Sequence, residues 1–136
     1  MYHVTKQIDF CYGHRLCNYE GKCRHLHGHN GRVEIELCGD TLDQRGMLAD
    51  FGDIKRLVKQ WIDENLDHRM ILKYDDPAVD FIQSHNEPVY IIDENPTAEA
   101  IAKLIYQRAQ QMNLPVCSVT LWETPDSCAV YREPTE

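Results

Sequence analysis

Two stretches of alternating apolar and polar residues, separated by a histidine-rich polar segment, most constrain how this chain can fold. Residues 2–12 carry apolar or aromatic side chains at most even positions, and residues 32–37 alternate in the same way. Because successive side chains of a strand point to opposite faces, each stretch predicts a half-buried strand. Residues 17–30 are dense in Gly, Asn, Lys and His and predict a loop. We therefore expect the chain to begin with a β-hairpin.

Two amphipathic helices are predicted after this hairpin. Between residues 51 and 66 apolar side chains recur at spacings of three and four, and Asp50 is placed to cap the first turn. A second helix is predicted from about Thr97 to Asn113, because it starts just after a proline and ends at Asn and Pro. Residues 69–95 contain two prolines and many acids, and we expect a long excursion with some local structure.

The C-terminal region predicts two further strands, residues 116–123 and 128–132, joined by a turn. The predicted order is β-β-α-α-β-β within a single domain, residues 1–136. This order favours an α+β fold, with a four-stranded antiparallel sheet and two helices on one face. Such a sheet leaves two open edges, which indicates association through edge strands.

Charge and hydropathy exclude several classes of protein. The formal net charge is −8 and no basic block occurs, which argues against nucleic acid as the main partner. No apolar run approaches the ~20 residues that cross a bilayer, and residues 1–5 lack signal-peptide character. We expect a cytosolic protein whose six cysteines are thiols. Cys38, Cys117 and Cys128 fall in strand-like segments and are predicted to be core residues.

The segment Cys23-Arg24-His25-Leu26-His27-Gly28-His29 indicates metal binding. Residues two apart on an extended chain face the same way, so His27 and His29 can bind one ion. Neutral imidazoles suit zinc, and a catalytic zinc has three protein ligands and one open position. The third ligand is His14 or His25. Pairing of the two strands favours His14, because three histidines along one strand would spread over roughly 13 Å.

Four further residues are candidates for proton transfer or substrate binding. Cys23 lies near the predicted metal, where a thiolate can act as a base or nucleophile. Asp67 can orient His68, although a histidine at this place also suits the C-terminal end of a helix. Glu123 continues the buried face of its strand, so its carboxylate needs a partner, either the N–H groups of a ligand or Arg132.

A structural zinc-binding module for RNA is the alternative to a metalloenzyme. The series Cys11, Cys17, Cys23 and His27 partly resembles a CCCH zinc finger, which is an RNA-binding module. The first spacing is too short for that pattern, and Cys11 falls within a predicted strand. The acidic charge also disfavours RNA binding.

Five motifs together resemble the 6-pyruvoyl-tetrahydropterin synthase family, over about residues 6–132. They are Gly13-His14-Arg15-Leu16, Cys23-x3-His27-Gly28-His29, Leu66-Asp67-His68, Pro96-Thr97-x-Glu99 and Trp122-Glu123-Thr124. The three-residue spacer after Cys23 resembles the bacterial 6-carboxytetrahydropterin synthase branch. The pyruvoyl synthase branch, which has a longer spacer, is the alternative.

The resemblance implies a fold and a set of site residues. The fold would be the tunnelling fold, in which edge strands join subunits into a barrel, giving trimers or hexamers with shared active sites. The metal would be Zn²⁺, bound by His14, His27 and His29. Catalytic residues would be Cys23 as the base, Asp67 and His68 as a relay, and Glu123, with Glu123 and Thr97 binding the pterin.

The resemblance also implies a reaction. The substrate would be 7,8-dihydroneopterin triphosphate, and the products would be 6-carboxy-5,6,7,8-tetrahydropterin, acetaldehyde and triphosphate, on the route to queuosine. The pyruvoyl synthase alternative eliminates triphosphate without releasing acetaldehyde. The triphosphate requires local cations, for which Arg15, Lys22 and Arg24 are candidates.

Overall fold

The computed structural model describes residues 1–134. Within this range there are six strands, four α-helical segments, one π-helical turn and one 3-10 turn. In order they are β1 Tyr2–His14, a 3-10 turn Lys22–Arg24, β2 His27–Gly39, α1 Phe51–Ile54, a π-helical turn Lys55–Lys59, α2 Gln60–Asn65, β3 Arg69–Lys73, α3 Ala78–Ser84, β4 Val89–Ile92, α4 Ala98–Gln111, β5 Val116–Thr124 and β6 Ser127–Tyr131.

The predicted hairpin is present and is longer than expected. β1 and β2 pair antiparallel from Tyr2 opposite Gly39 to His14 opposite His27. The loop therefore ends before His27, and the prediction that it extends to residue 30 was wrong. Backbone pairing with β1 holds this polar stretch extended, although its composition is typical of a loop.

The sheet has six strands, so the predicted four-stranded antiparallel sheet was wrong. The strand order is β4-β3-β1-β2-β5-β6. β3 lies parallel to β1, and β4 lies parallel to β3. Both strands come from the segment 69–95, which also contains α3. Because β3 and β4 have only five and four residues, their periodicity is too short to be recognised in the sequence.

Both predicted helices are present and pack on the same face of the sheet. The Asp50 side chain accepts a hydrogen bond from the Gly52 amide at 2.7 Å and caps α1, as expected. α1, the π-helical turn and α2 form one continuous helical segment. Fully buried residues of this segment and of α4 form one core with the inward face of the sheet, including Ile35 and Leu37. Within residues 1–134, no helix is long and apolar enough to cross a membrane.

The three cysteines of β2, β5 and β6 lie outside this core. Cys38 and Cys117 are only partly buried, and Cys128 is exposed. The prediction that these three thiols pack in the core was therefore wrong. The neighbours of Cys38 in β2, Leu37 and Ile35, occupy the inward-facing positions instead.

Candidate metal centre

The hairpin brings together three of the predicted site residues. His14 pairs with His27 across the two strands, and His29 is two residues further along β2. One ring nitrogen from each of the three side chains lies within 4.8 Å of the others. The Nε2 atoms of His14 and His29 are 3.1 Å apart. His25, the alternative third residue, is exposed and is not part of this cluster.

Backbone carbonyl groups orient two of the three rings. The Nδ1–H of His14 donates to the Pro96 carbonyl at 2.6 Å, and the Nδ1–H of His27 donates to the His25 carbonyl at 2.7 Å. Since a carbonyl can only accept, these bonds fix the Nδ1–H tautomer of both rings and leave each Nε2 lone pair free. Metal-binding histidines are commonly held in this way. Sequence patterns did not reveal the role of Pro96, because it is distant along the chain.

His14 is the buried member of the cluster, with 2% of its surface exposed. The pKa of His14 is lowered to about 4, mainly by burial; the bond to Pro96 opposes this shift, and the neighbouring His27 and His29 contribute to it. The ring therefore remains neutral at physiological pH, which is the form that binds metals.

Gly28, between the two histidines of β2, allows close packing of the hairpin. A Cβ atom at this position would lie 3.1 Å from the carbonyl oxygen of Tyr12. The strand continues without interruption through Gly28, and the small residue relieves a cross-strand contact.

Two other side chains border the histidine cluster. The carboxylate oxygens of Glu123, on β5, lie 4.0 Å from His14 Nε2 and 3.9 Å from His29 Nε2. The Tyr12 ring packs against the His14 and His29 rings, with centroid distances of 5.2 and 5.7 Å. Its buried hydroxyl has no hydrogen-bond partner within residues 1–134. Burial, reinforced by the Glu123 charge, raises the pKa of Tyr12.

The donor set fits zinc. Three imidazole nitrogens converge, and two of the rings are held by outer-sphere hydrogen bonds, as zinc sites with histidine ligands require. A tetrahedral ion bound here would have one position left for water or substrate. The Glu123 carboxylate, within 4.0 Å of two of these nitrogens, is a polar group next to the cluster.

Asp67 and His68 form a second polar unit, beside β1. Asp67 Oδ1 accepts from the Cys11 amide at 2.9 Å, and its Oδ2 lies 2.9 Å from His68 Nδ1. Burial acts to raise the pKa of Asp67, but the bonds from Cys11 and His68 outweigh it and lower that pKa. The carboxylate is thus ionised and anchored, and it orients the His68 ring.

The backbone of His68 is held in an uncommon conformation. Its φ is 59°, in the left-handed region that costs a non-glycine residue roughly 1–2 kcal/mol. The His68 amide donates to the Cys11 carbonyl at 2.6 Å, which holds this geometry. The ring itself is 78% exposed. An exposed imidazole with a fixed orientation is suited to act on a molecule that binds from outside the chain.

Two cavities meet at His68. One of about 780 Å³ includes Asp67, His68 and Trp122 in its wall, and one of about 700 Å³ includes His27, His29 and His68. Cys11 and Asn30 border both cavities. Volumes of this size accommodate a small organic ligand. The smaller cavity connects the neighbourhood of the histidine cluster with the His68 ring.

The other two predicted residues have structural contacts of their own. Cys23 lies in the 3-10 turn and is partly buried, and its carbonyl accepts from the Leu16 amide at 2.8 Å. Thr97 caps α4, since its Oγ1 accepts from the Ala100 amide at 3.1 Å. The Thr97 cap begins α4 immediately after Pro96, whose carbonyl holds His14.

The candidate triphosphate cations differ in their availability. Arg15 forms a bidentate ion pair with Asp76, whose side chain is fully buried. Arg24 donates to the Glu20 carbonyl at 3.2 Å, and Lys22 is exposed. Arg15 is therefore committed to a structural contact, whereas Lys22 and Arg24 keep a larger part of their charge accessible.

Known proteins share this fold and this sequence pattern. The family model for 6-pyruvoyl tetrahydropterin synthase matches residues 3–134. The 6-carboxy-5,6,7,8-tetrahydropterin synthase of Rickettsia bellii is 38% identical over 133 residues, covering 93% of this chain and 96% of its own. An uncharacterized protein from Wolinella succinogenes aligns with a TM-score of 0.80 at 32% identity, covering 98% of both chains. The Caenorhabditis elegans 6-pyruvoyl tetrahydropterin synthase has a TM-score of 0.74 at 22% identity, covering 98% and 96%, which shows a shared fold.

Proposed function

Because the chain belongs to the 6-pyruvoyl tetrahydropterin synthase family, we propose that it is a lyase of the 6-carboxytetrahydropterin branch. It would convert 7,8-dihydroneopterin triphosphate to 6-carboxy-5,6,7,8-tetrahydropterin, acetaldehyde and triphosphate, a reaction on the route to queuosine. The observation that carries this proposal is the near-full-length identity to a relative named for that product. The intact histidine cluster supports it.

We further propose that His14, His27 and His29 hold a Zn²⁺ ion. When bound, the ion would supply Lewis acidity that makes substrate hydroxyl and adjacent C–H groups easier to deprotonate. The chain contributes the neutral state of His14 and the fixed tautomers of His14 and His27. Tyr12 and Glu123 contact the His14 ring and would form part of the wall around the ion.

Proton transfer is assigned to Cys23 and to the Asp67–His68 unit. Cys23 would remove a proton from the substrate side chain as a thiolate. His68 would return or remove a second proton, with Asp67 fixing its ring at 2.9 Å. Both Asp67 oxygens are engaged in the chain, so Asp67 orients the imidazole and balances its positive charge.

Substrate recognition is assigned to Glu123 and Thr97, with Lys22 and Arg24 near the triphosphate. A carboxylate is the natural acceptor for the neighbouring N–H groups of a pterin ring. Among residues 1–134 no Lys or Arg side chain pairs with Glu123, and its carboxylate lies within 4.0 Å of the His14 and His29 ring nitrogens. Its charge is therefore available to a ligand held next to the histidine cluster.

We propose that the complete site is shared between copies of the chain in a trimer or hexamer. The terminal strands of the sheet, β4 and β6, leave two edges through which copies could join into a barrel. His68 is oriented but 78% exposed, and a neighbouring copy would enclose it with a substrate. Enclosure is needed because proton transfer is more effective where water is excluded.

The reaction is tested with zinc-loaded protein and 7,8-dihydroneopterin triphosphate, following acetaldehyde, triphosphate and the pterin product together. Acetaldehyde formed in step with a carboxylated pterin is the expected result. Triphosphate released without acetaldehyde would instead establish the pyruvoyl synthase reaction. Absence of any turnover by protein with one zinc in the histidine cluster would refute both lyase assignments.

A further inference from the structure

A second group of metal-binding side chains lies at the other end of the hairpin. One ligand atom each from His3, Cys38 and Cys117 lies within 4.8 Å of the other two. His3 and Cys38 are directly opposite one another in β1 and β2, and Cys117 comes from β5. His3 is eleven residues from His14, which is about 36 Å along an extended strand. The second group is therefore separate from the candidate metal centre.

An irregularity in the sheet places Cys117 in this group. Glu36 pairs with Ser118, whereas the next residue, Leu37, pairs with Val116, so Cys117 is an extra residue in β5. In regular alternation, Cys117 and Ser118 would point to opposite faces. Both instead bond the Glu36 carboxylate, at 3.2 and 3.3 Å. A β-bulge redirects a side chain in this way, and bulges are frequent beside functional sites.

Glu36 connects the members of the group. One carboxylate oxygen accepts from the Cys117 thiol and lies 3.5 Å from His3 Nδ1. Glu36 and Cys38 are two residues apart on β2 and therefore share a face. One imidazole, two thiols and one carboxylate thus surround the same space, on the face of the sheet opposite the helices.

We propose that His3, Cys38 and Cys117, with Glu36 as the fourth donor or as the partner of the His3 ring, form a second zinc site. Two sulfur ligands and one imidazole favour Zn²⁺ over the oxygen-preferring cations Mg²⁺ and Ca²⁺. Four protein donors would close the coordination sphere, as in structural zinc sites. The ion would join β1, β2 and β5, three adjacent strands of the sheet.

Zinc stoichiometry tests this proposal. Chelator-treated, reduced full-length protein is equilibrated with Zn²⁺ alone, and bound metal is measured per chain. Two zinc ions are expected for the wild type and one for the double variant Cys38→Ser/Cys117→Ser. Cys128→Ser, which removes an exposed thiol elsewhere, should still bind two. Equal zinc contents in the wild type and in the folded double variant would overturn the proposal.

Cobalt distinguishes this site from the histidine cluster. With Co²⁺ as the probe, thiolate ligation gives a near-ultraviolet charge-transfer band that a three-histidine site lacks. The band should persist in His14→Ala and in Cys23→Ser and disappear in the double variant. A band that disappears with Cys23→Ser, or none in the wild type, would contradict the assignment. This result does not depend on turnover, so it is separable from the proposed reaction.

A milder variant and a thiol measurement complete the test. His3 is exposed, so His3→Ala should fold normally. It should weaken cobalt binding at this site by more than the roughly 10–100-fold that loss of an outer-sphere partner costs. If the reduced protein binds no second ion while the air-exposed protein has lost two thiols at Cys38 and Cys117, a disulfide pair is present and the zinc site is refuted.

Discussion

The Nε2 atoms of His14 and His29 lie 3.1 Å apart across the first hairpin. Donor atoms of a tetrahedral zinc ion, at bond lengths of about 2.0–2.1 Å, are roughly 3.3–3.4 Å apart. The observed distance between the two nitrogens is therefore close to the distance between two ligands of one zinc ion. Pairing of the strands sets this spacing, and the Pro96 carbonyl directs the His14 ring.

Removing one ligand should remove the metal. His29→Ala is expected to weaken zinc binding at the histidine cluster by at least about 100-fold and to abolish turnover, because two ligands cannot hold the ion. Metal content per chain and lyase activity are the measurements. His25→Ala is the matched control, since its backbone carbonyl, not its side chain, holds His27. Loss of zinc in His25→Ala to the same extent would contradict the assignment.

Cys23→Ala should separate catalysis from metal binding. We expect turnover to fall by about 10²–10⁴-fold, the usual contribution of a positioned base, with zinc content and melting temperature unchanged. Cys17→Ala serves as a control in the same loop. Retention of full activity by Cys23→Ala would exclude the thiol as the base. An equal loss of turnover in Cys17→Ala would show that the effect comes from a disturbed loop and not from removal of a base.

Glu123→Gln should weaken substrate binding. A hydrogen bond to a charged acceptor contributes about 1.5–3 kcal/mol, so KM or the ligand Kd should rise roughly 10- to 100-fold. Binding of a pterin to the zinc-loaded protein checks this directly. Glu133→Gln, an exposed change beyond β6, is the control. If the variant loses zinc but its Kd for the pterin is unchanged, Glu123 contributes to metal binding and not to substrate binding.

Asp76→Asn should reduce stability in a pH-dependent way. Hydrogen bonds from Arg15 lower the pKa of Asp76, against the effect of its burial. The pair therefore stabilises the fold above the unfolded-state pKa of about 3.9, and this contribution is lost as the pH falls through the lower folded pKa. At pH 7 we expect a loss of roughly 3 kcal/mol in the free energy of unfolding.

Urea unfolding of the wild type and Asp76→Asn at pH 7 and pH 3 measures this effect. The difference between the two proteins should shrink at the lower pH. Asp75→Asn is the matched control, because the neighbouring carboxylate is half exposed and should change little. A difference that is the same at both pH values would show that burial of the amide, not loss of the ion pair, destabilises the variant.

Tyr12→Phe should stabilise the metal-free protein. The Tyr12 hydroxyl is buried without a hydrogen-bond partner within residues 1–134, and such a group costs about 1–3 kcal/mol. In the presence of chelator, the free energy of unfolding measured with urea should be roughly 1 kcal/mol higher for the variant than for the wild type. If zinc or substrate provides the missing partner, the gain should disappear in the loaded protein. A loss of stability in chelator would show that the hydroxyl is already satisfied.

The sequence predicted the parts of the fold that are periodic. The hairpin, the Asp50-capped helix and the Thr97-capped helix were recognisable because their apolar spacing extends over many residues. Strands β3 and β4 were missed because four or five residues carry no clear period. Their pairing depends on contacts with β1, which only the folded chain supplies.

The parts of the candidate site that lie within one hairpin could be predicted from the sequence, whereas contacts with distant segments could not. The two strand patterns predict the hairpin, and pairing within the hairpin places His14, His27 and His29 together. Pro96 contacts His14 through its main-chain carbonyl. Because every residue type has this group, the sequence does not indicate which residue accepts the hydrogen bond. The His3, Cys38 and Cys117 group depends on a bulge in β5, and a single inserted residue is invisible without the register.

The bond between His14 and Pro96 spans 82 positions of the chain. The three imidazoles are synthesised early, but the carbonyl that orients His14 and the Glu123 carboxylate are synthesised only with the C-terminal half. A nascent hairpin would therefore offer a loose set of ligands, and high affinity would develop only after α4 and β5 have docked. Tight metal capture would thus mark the completion of folding, so the same contact that shapes the site also delays its maturation until the chain is whole.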